Sequence, residues 1–358
     1  MTRLTRRGFL TTTAGAAGAG LTACATGSVT APVYQGEVTF RHGVASGDPL
    51  TDRVILWTRV SPARDIGLVP VIWTVYSDAR MRNVVASGSV MTSVERDYTV
   101  KVDAAGLTPA TEYFYQFTVQ SSSGLITSLP GRTRTLADSG DETPVKFAVV
   151  SCSNYPFGYF NVYREIGKRN DLDAVIHLGD YIYEYGRDGY GGDVGEQLGR
   201  NHNPSTETIS LEEYRKRHAQ YKSDEDLQAA HAAAPWLCTW DDHESTNNSY
   251  RTGAQNHNDG EGEWTVRKQI ATQAYLEWMP VRDPEPGRPR ESIYRKFDFG
   301  DVATVFCLES RLTGRSDEIS WGAVLADKSP AEIPAAAMAT MQQVADPART
   351  MFGGTQEE

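Results

Sequence analysis

"DAVIHLGDYIYEYG", residues 173–186, ends a short apolar run in a carboxylate. The run is β-branched, a few residues long and closed by glycine, which predicts a strand buried on both faces. Asp180 then follows Gly179 and precedes Tyr181, Tyr183 and Tyr185. A turn aspartate would suit that position. So would a metal ligand, and the neighbouring segments decide between them.

From residue 145 onward, strands alternate with helices. "VKFAVVS" (145–151), "DAVIHL", "PWLCTW" (235–240) and "DVATVFCLE" (301–309) read as four strands. "YFNVYREIGKR" (159–169), 211–234 (one helix or two) and 263–279 carry helical spacing. Such alternation predicts a mainly parallel α/β layer fold. The Gly-rich stretch 185–210 is long for a loop, and loops of that length are functional or disordered.

Each predicted strand ends in reactive side chains: Ser151-Cys152-Ser153-Asn154, Gly179-Asp180-Tyr181-Ile182-Tyr183, Trp240-Asp241-Asp242-His243-Glu244 and Glu309-Ser310-Arg311. Ligands of α/β sheets bind beyond the carboxyl ends of the strands, so these four ends are expected to share one crevice. Singly, each residue has an ordinary structural explanation, as a turn carboxylate, a packed ring or a small buried thiol. Adjacent carboxylates repel unless a cation lies near them, and a metal does this well. Thiolate, tyrosinate and carboxylate donors suit a ferric ion, and the remaining oxygens suit Ca²⁺, Mg²⁺ or another divalent ion. Asp180 is the candidate bridge between two metals about 3.5–4 Å apart, the spacing of hydrolytic two-metal sites, where a metal-activated hydroxide attacks phosphorus. Arg311 would grip phosphate oxygens through its planar fork. His243 would protonate the leaving alkoxide.

Residues 37–137 read as all-β. "RVILWTRV", "VPVIWTVYS", "DYTVKVDA" and "EYFYQFTVQ" are β-branched and aromatic runs between turn clusters. "AGLTPATEYFYQF" (105–117) resembles the tyrosine corner of immunoglobulin and fibronectin-III-like sandwiches. "TLADSGDETP" (135–144) is read as a polar linker, leaving 143–358 as the α/β part.

A net charge of −11 without any basic block argues against a general polyanion binder and a stable nucleic-acid complex. The four cysteines, Cys24, Cys152, Cys238 and Cys307, form no CxxC pair, so neither a disulfide framework nor a zinc knuckle is expected. Residues 1–30 have the layout of an export signal: Arg3, Arg6 and Arg7, a weakly apolar stretch, then small residues. "RRGFL" resembles the twin-arginine type, which implies the twin-arginine machinery as a partner and a periplasmic, extracellular or surface-anchored location. "LTAC" (21–24) resembles a lipoprotein cleavage box that would attach the chain to membrane through Cys24.

"TRRGFL", "FRHGVASGDPLTDRVILWTRV", "SCSNYPFGYFNVYREI", "HLGDYIYEYG", "WDDHESTNN" and "ATQAYLEWMPVR" together resemble the PhoD-like alkaline phosphatase/phosphodiesterase family of metallophosphatases. The resemblance implies an immunoglobulin-like N-terminal domain, a metallophosphatase domain, and a site holding Fe³⁺ and Ca²⁺. It assigns the iron to Cys152, Asp180 and Tyr183 and a bridge to calcium to Asp180. Asp242 falls where metallophosphatases place the Asn of their Asn-His-Glu/Asp motif. The implied activity is hydrolysis of small phosphoesters for phosphate scavenging by a secreted enzyme. A phospholipase-D-like phosphodiesterase is the alternative, with a non-catalytic cell-surface protein as the rival. Chains of the family run on to a late Gly-Asp-x-His strand end. Here no histidine follows His257 and no clear strand follows Leu312, so the expectation is a chain cut short, with weak metal binding and little turnover.

Overall fold

A computed structural model describes residues 29–352 and Gln356. The twin-arginine segment and Cys24 lie outside the described residues.

A five-stranded antiparallel sheet forms one layer of the N-terminal half. Val69–Tyr76 lies between Val84–Thr92 and Glu112–Ser121, and the last pairs with both Gly124–Thr127 and Gly131–Arg134. Along Glu112–Ser121, Tyr113, Tyr115, Phe117 and Val119 are buried while their neighbours are part-exposed or exposed, the alternation of a one-faced strand. The hydroxyl of Tyr113 accepts the Thr108 N–H at 2.9 Å. This is the corner that "LTPATEY" predicts.

The second sheet runs through both halves of the chain. Phe147–Val150, Ala174–His177 and Pro235–Cys238 are parallel, and Val44–Gly47 joins them in parallel beside Pro235–Cys238. Arg53–Arg59 and Thr99–Ala105 then continue the sheet antiparallel. The second layer of the N-terminal half and the α/β sheet are therefore one hydrogen-bonded six-stranded sheet, separate from the five-stranded one. Asp48, fully buried just past Val44–Gly47, accepts from Arg295 at 2.6 and 2.7 Å and from the Arg282 N–H at 2.7 Å. Within 135–144, Leu136 is buried against Ala174, Leu237 and Phe299.

Helices Asn161–Gly167, Leu211–Lys222, Glu225–Ala233 and Trp264–Trp278 match the predicted helical stretches. The segment 211–234 divides in two because Ser210 and Glu213 form a capping box on the first helix and Asp224 caps the second. No helix among the described residues is long and apolar enough to cross a membrane.

The fourth predicted strand needs correcting. Ala303–Cys307 does not join the parallel sheet; it pairs antiparallel with Arg295–Phe299 in a separate ribbon. Both strands bury one face only, the pattern of a ribbon and not of a strand covered on both sides. The short connection through Gly300 also makes the local pairing cheap in loop entropy. The buried face, with Phe297, Phe299 and Cys307, packs on Ala174 and Leu237.

Candidate metal centre

Three parallel strands end side by side, and their loops are tied by backbone. The Cys152 N–H donates to the Gly179 carbonyl at 3.1 Å and the Ser153 N–H to the Asp180 carbonyl at 2.8 Å. Gly179 has φ +108°, and a Cβ there would stand 2.3 Å from the Asp241 nitrogen. Glycine is what lets the second and third strand ends approach this closely. Cys152 and Asp180 both adopt φ +56°, left-handed conformations that non-glycine residues occupy at some cost. Two of the predicted ligands thus sit on left-handed backbone.

Asp180 lies at the centre. Its Oδ2 is 3.4 Å from the Cys152 Sγ and 3.3 Å from the Tyr183 hydroxyl. On the other side, ligand atoms of Asp180, Asp242 and His243 lie within 4.8 Å of one another. The second oxygen, Oδ1, is buried without a hydrogen-bond partner. Asp242 accepts the Asn248 N–H at 2.5 Å. Arg311 reaches the same crevice from the end of the antiparallel ribbon; its Nε bonds Asp241 at 2.6 Å and its guanidinium stands 3.7 Å from Asp242. The structure therefore brings all six predicted residues, Cys152, Asp180, Tyr183, Asp242, His243 and Arg311, to one place. Tyr181 is fully buried and bonds His231 at 2.8 Å, and Tyr185 leans on the His243 ring.

Glu184 escaped the sequence reading, and Glu244, named at its strand end, was given no role there. Glu184 is fully buried and accepts from His243 Nδ1 at 2.8 Å, from the Asn247 N–H at 2.8 Å, and from Thr246 and Asn256. Glu244 accepts the N–H groups of Tyr181 at 2.6 Å and Asp241 at 2.9 Å, joining two strand ends. The signal for Glu184 was present: a lone carboxylate within the otherwise apolar "YIYEY" has to find buried donors.

The electrostatics favour a cation at the centre. Burial, reinforced by Asp242 and Asp241 against the pull of His243, pushes the Asp180 carboxyl up to about 6. Burial also raises the Cys152 thiol, and burial with the Asp180 charge drives the Tyr183 phenol well above its ordinary range. Glu244 is pushed up to about 8 by burial and Asp180. His243 moves the other way: burial opposes its charge, but the Glu184 hydrogen bond and the charges of Glu184, Asp242 and Asp180 carry it up to about 9. Protein alone therefore leaves donors short of positive charge, a deficit that a metal ion meets by displacing their protons. The orphaned Asp180 Oδ1 and the anionic donor set fit a metal.

The family model for PhoD-like phosphatases matches residues 147–358, and that for their N-terminal domain matches residues 25–137. The chain belongs to the PhoD-like phosphatase family. It is 42% identical over 280 residues to alkaline phosphatase D of Bacillus subtilis (strain 168), covering 76% of this chain and 46% of that protein. The solved structure of PhoD superposes with a TM-score of 0.74 at 37% identity, over 92% of this chain and 60% of that one. The chain therefore spans roughly half to three-fifths of the length of these PhoD-like relatives. The β-rich N-terminal domain followed by an α/β phosphatase domain is the PhoD-like fold.

Proposed function

We propose that the chain carries the catalytic strand ends of a metal-dependent phosphoester hydrolase, an alkaline phosphatase or phosphodiesterase acting on small phosphoesters. The observation that carries this reading is Asp180, flanked by Cys152 and Tyr183 on one side and by Asp242 and His243 on the other, with one buried oxygen free. Cys152, Asp180 and Tyr183 would hold a ferric ion, and Asp180 with Asp242 a calcium ion. Bound there, the metals would supply Lewis acidity toward the phosphoryl group and lower the pKa of water.

The protein's own groups do the rest. Arg311, fixed by Asp241, keeps guanidinium N–H groups available to the non-bridging oxygens of a phosphoester. His243 is held through Nδ1 by Glu184, so Nε2 is the atom that gives a proton to the leaving oxygen. The Glu184 carboxylate, hydrogen-bonded to Nδ1, favours the protonated ring.

The test is turnover of p-nitrophenyl phosphate and bis-p-nitrophenyl phosphate by protein supplied with ferric and calcium ions. Release of p-nitrophenol that Asp180→Asn abolishes supports the reading; release that survives this change contradicts it. The same proposal includes twin-arginine export, phosphate scavenging outside the cytoplasm, and attachment through Cys24. Fractionation of cells expressing Arg6→Lys/Arg7→Lys and Cys24→Ser forms reads the first and third.

A further inference from the structure

Beside the metal centre lies a shelf of aromatic rings to which neither the fold nor the chemistry above gives a task. Phe157 and Tyr190 are 46% and 58% exposed. Their rings meet edge to face at 4.9 Å. From Tyr190 the rings continue inward, 6.4 Å to Tyr183 and 6.0 Å to Tyr185. Tyr183 stacks on His243 at 4.2 Å, and Tyr185 tilts against the same ring at 5.5 Å. One run of π surface thus leads from solvent to the proton donor.

Glycines build the shelf. Gly191, at φ +89°, lets the loop close on Phe157: a Cβ there would meet that ring at 2.9 Å. Gly189 does the same against Tyr185, where a Cβ would stand 2.8 Å from the side chain. The Gly-rich turn before the helix Gly192–Leu198 thus sets Tyr190 beside Tyr183 and Tyr185 and leaves it exposed.

The exposed rings of Phe157 and Tyr190 bear no charge, so they offer a phosphate no counter-ion. Arg311 serves that role from the Asp241/Asp242 side. The leaving group must lie near His243 to receive its proton, and His243 is walled by Tyr183 and Tyr185. No aliphatic side chain belongs to this ring series, and flat π faces are best matched by flat partners. We propose that Phe157 and Tyr190 form a leaving-group subsite that selects phosphoesters of planar aromatic alcohols or nucleosides. This rests on the phosphoester-hydrolase reading above.

Binding of unhydrolysable phosphonates tests it without turnover. In equilibrium dialysis with calcium present, phenylphosphonate is compared with methylphosphonate. The methylene analogue of AMP is compared with that of ribose 5-phosphate. The aromatic member of at least one pair should bind about tenfold tighter, the size expected for one stacked ring. Preference in the first pair alone identifies aryl leaving groups, and in the second alone nucleosides. Tyr190→Ala and Phe157→Ala should each remove most of the preference and leave the non-aromatic members unchanged. Tyr190→Leu, which keeps apolar area without a π face, should lose it as well. Equal affinity within both pairs, no binding of any probe, or variants that weaken both members alike would overturn the subsite. Turnover that survives Asp180→Asn would count against the hydrolase reading and leave this comparison intact.

Discussion

His243 Nδ1 lies 2.8 Å from Oε2 of Glu184, a carboxylate with no exposed surface. Because Glu184 also holds the Asn247 N–H, Thr246 and Asn256, it fixes the whole turn after "WDDHE". Glu184→Gln removes the charge that keeps His243 protonated and puts an amide donor among donors. The His243 pKa, about 9, should fall toward its ordinary value, and the protein should lose about 2–4 kcal/mol of stability. Histidine NMR titration and thermal unfolding read the two effects.

Tyr183 and Cys152 contact the same oxygen of Asp180. If they hold a ferric ion, the loaded protein should absorb in the visible through tyrosinate- and thiolate-to-iron charge transfer. Tyr183→Phe should shift or remove the tyrosinate band, while Tyr185→Phe should leave it unchanged. Optical spectra of the three proteins decide this.

Gly179→Ala should be severely destabilising. The new Cβ would meet the Asp241 nitrogen at 2.3 Å, and the residue sits at φ +108°, so strain and a backbone clash act together. A loss of about 3 kcal/mol or more is expected in chemical denaturation.

Burial holds His42, His177, His202 and His218 neutral, each with its pKa lowered to about 3. In the unfolded chain they take up protons near pH 6.5, so there the unfolded state binds more protons. Their contribution is present in full above that pH and is lost as pH falls from about 6.5 toward 3, at about 1.4 kcal/mol per histidine per pH unit. Unfolding midpoints in urea should therefore drop steeply over this window. A flat profile there would show that these rings are solvated.

The parts of this architecture that could be read from sequence are those with a local cause. The Tyr113 corner, the three parallel strand ends and the placing of Cys152, Asp180, Tyr183 and Asp242 at those ends are each written into a few adjacent residues. The pairing of Val44–Gly47 with Pro235–Cys238 is not, since it joins segments almost 200 residues apart through backbone bonds that any apolar strands could make. Ala303–Cys307 was misplaced for the related reason that its partner, "RKFDF", alternates too briefly to stand out from a loop. Glu184 was hidden because its four donors come from the 243–256 segment and meet it only on folding.

The central claim is that Asp180 holds metal between two sets of donors. Metal analysis of the chain after loading with ferric and calcium ions and dialysis tests it most directly, with Asp180→Asn and the exposed-site control Asp327→Asn treated alike. The account predicts that Asp180→Asn remains folded by circular dichroism and loses both ions relative to the parent and the control. Retention of iron and calcium by a folded Asp180→Asn at the parent's level would contradict it.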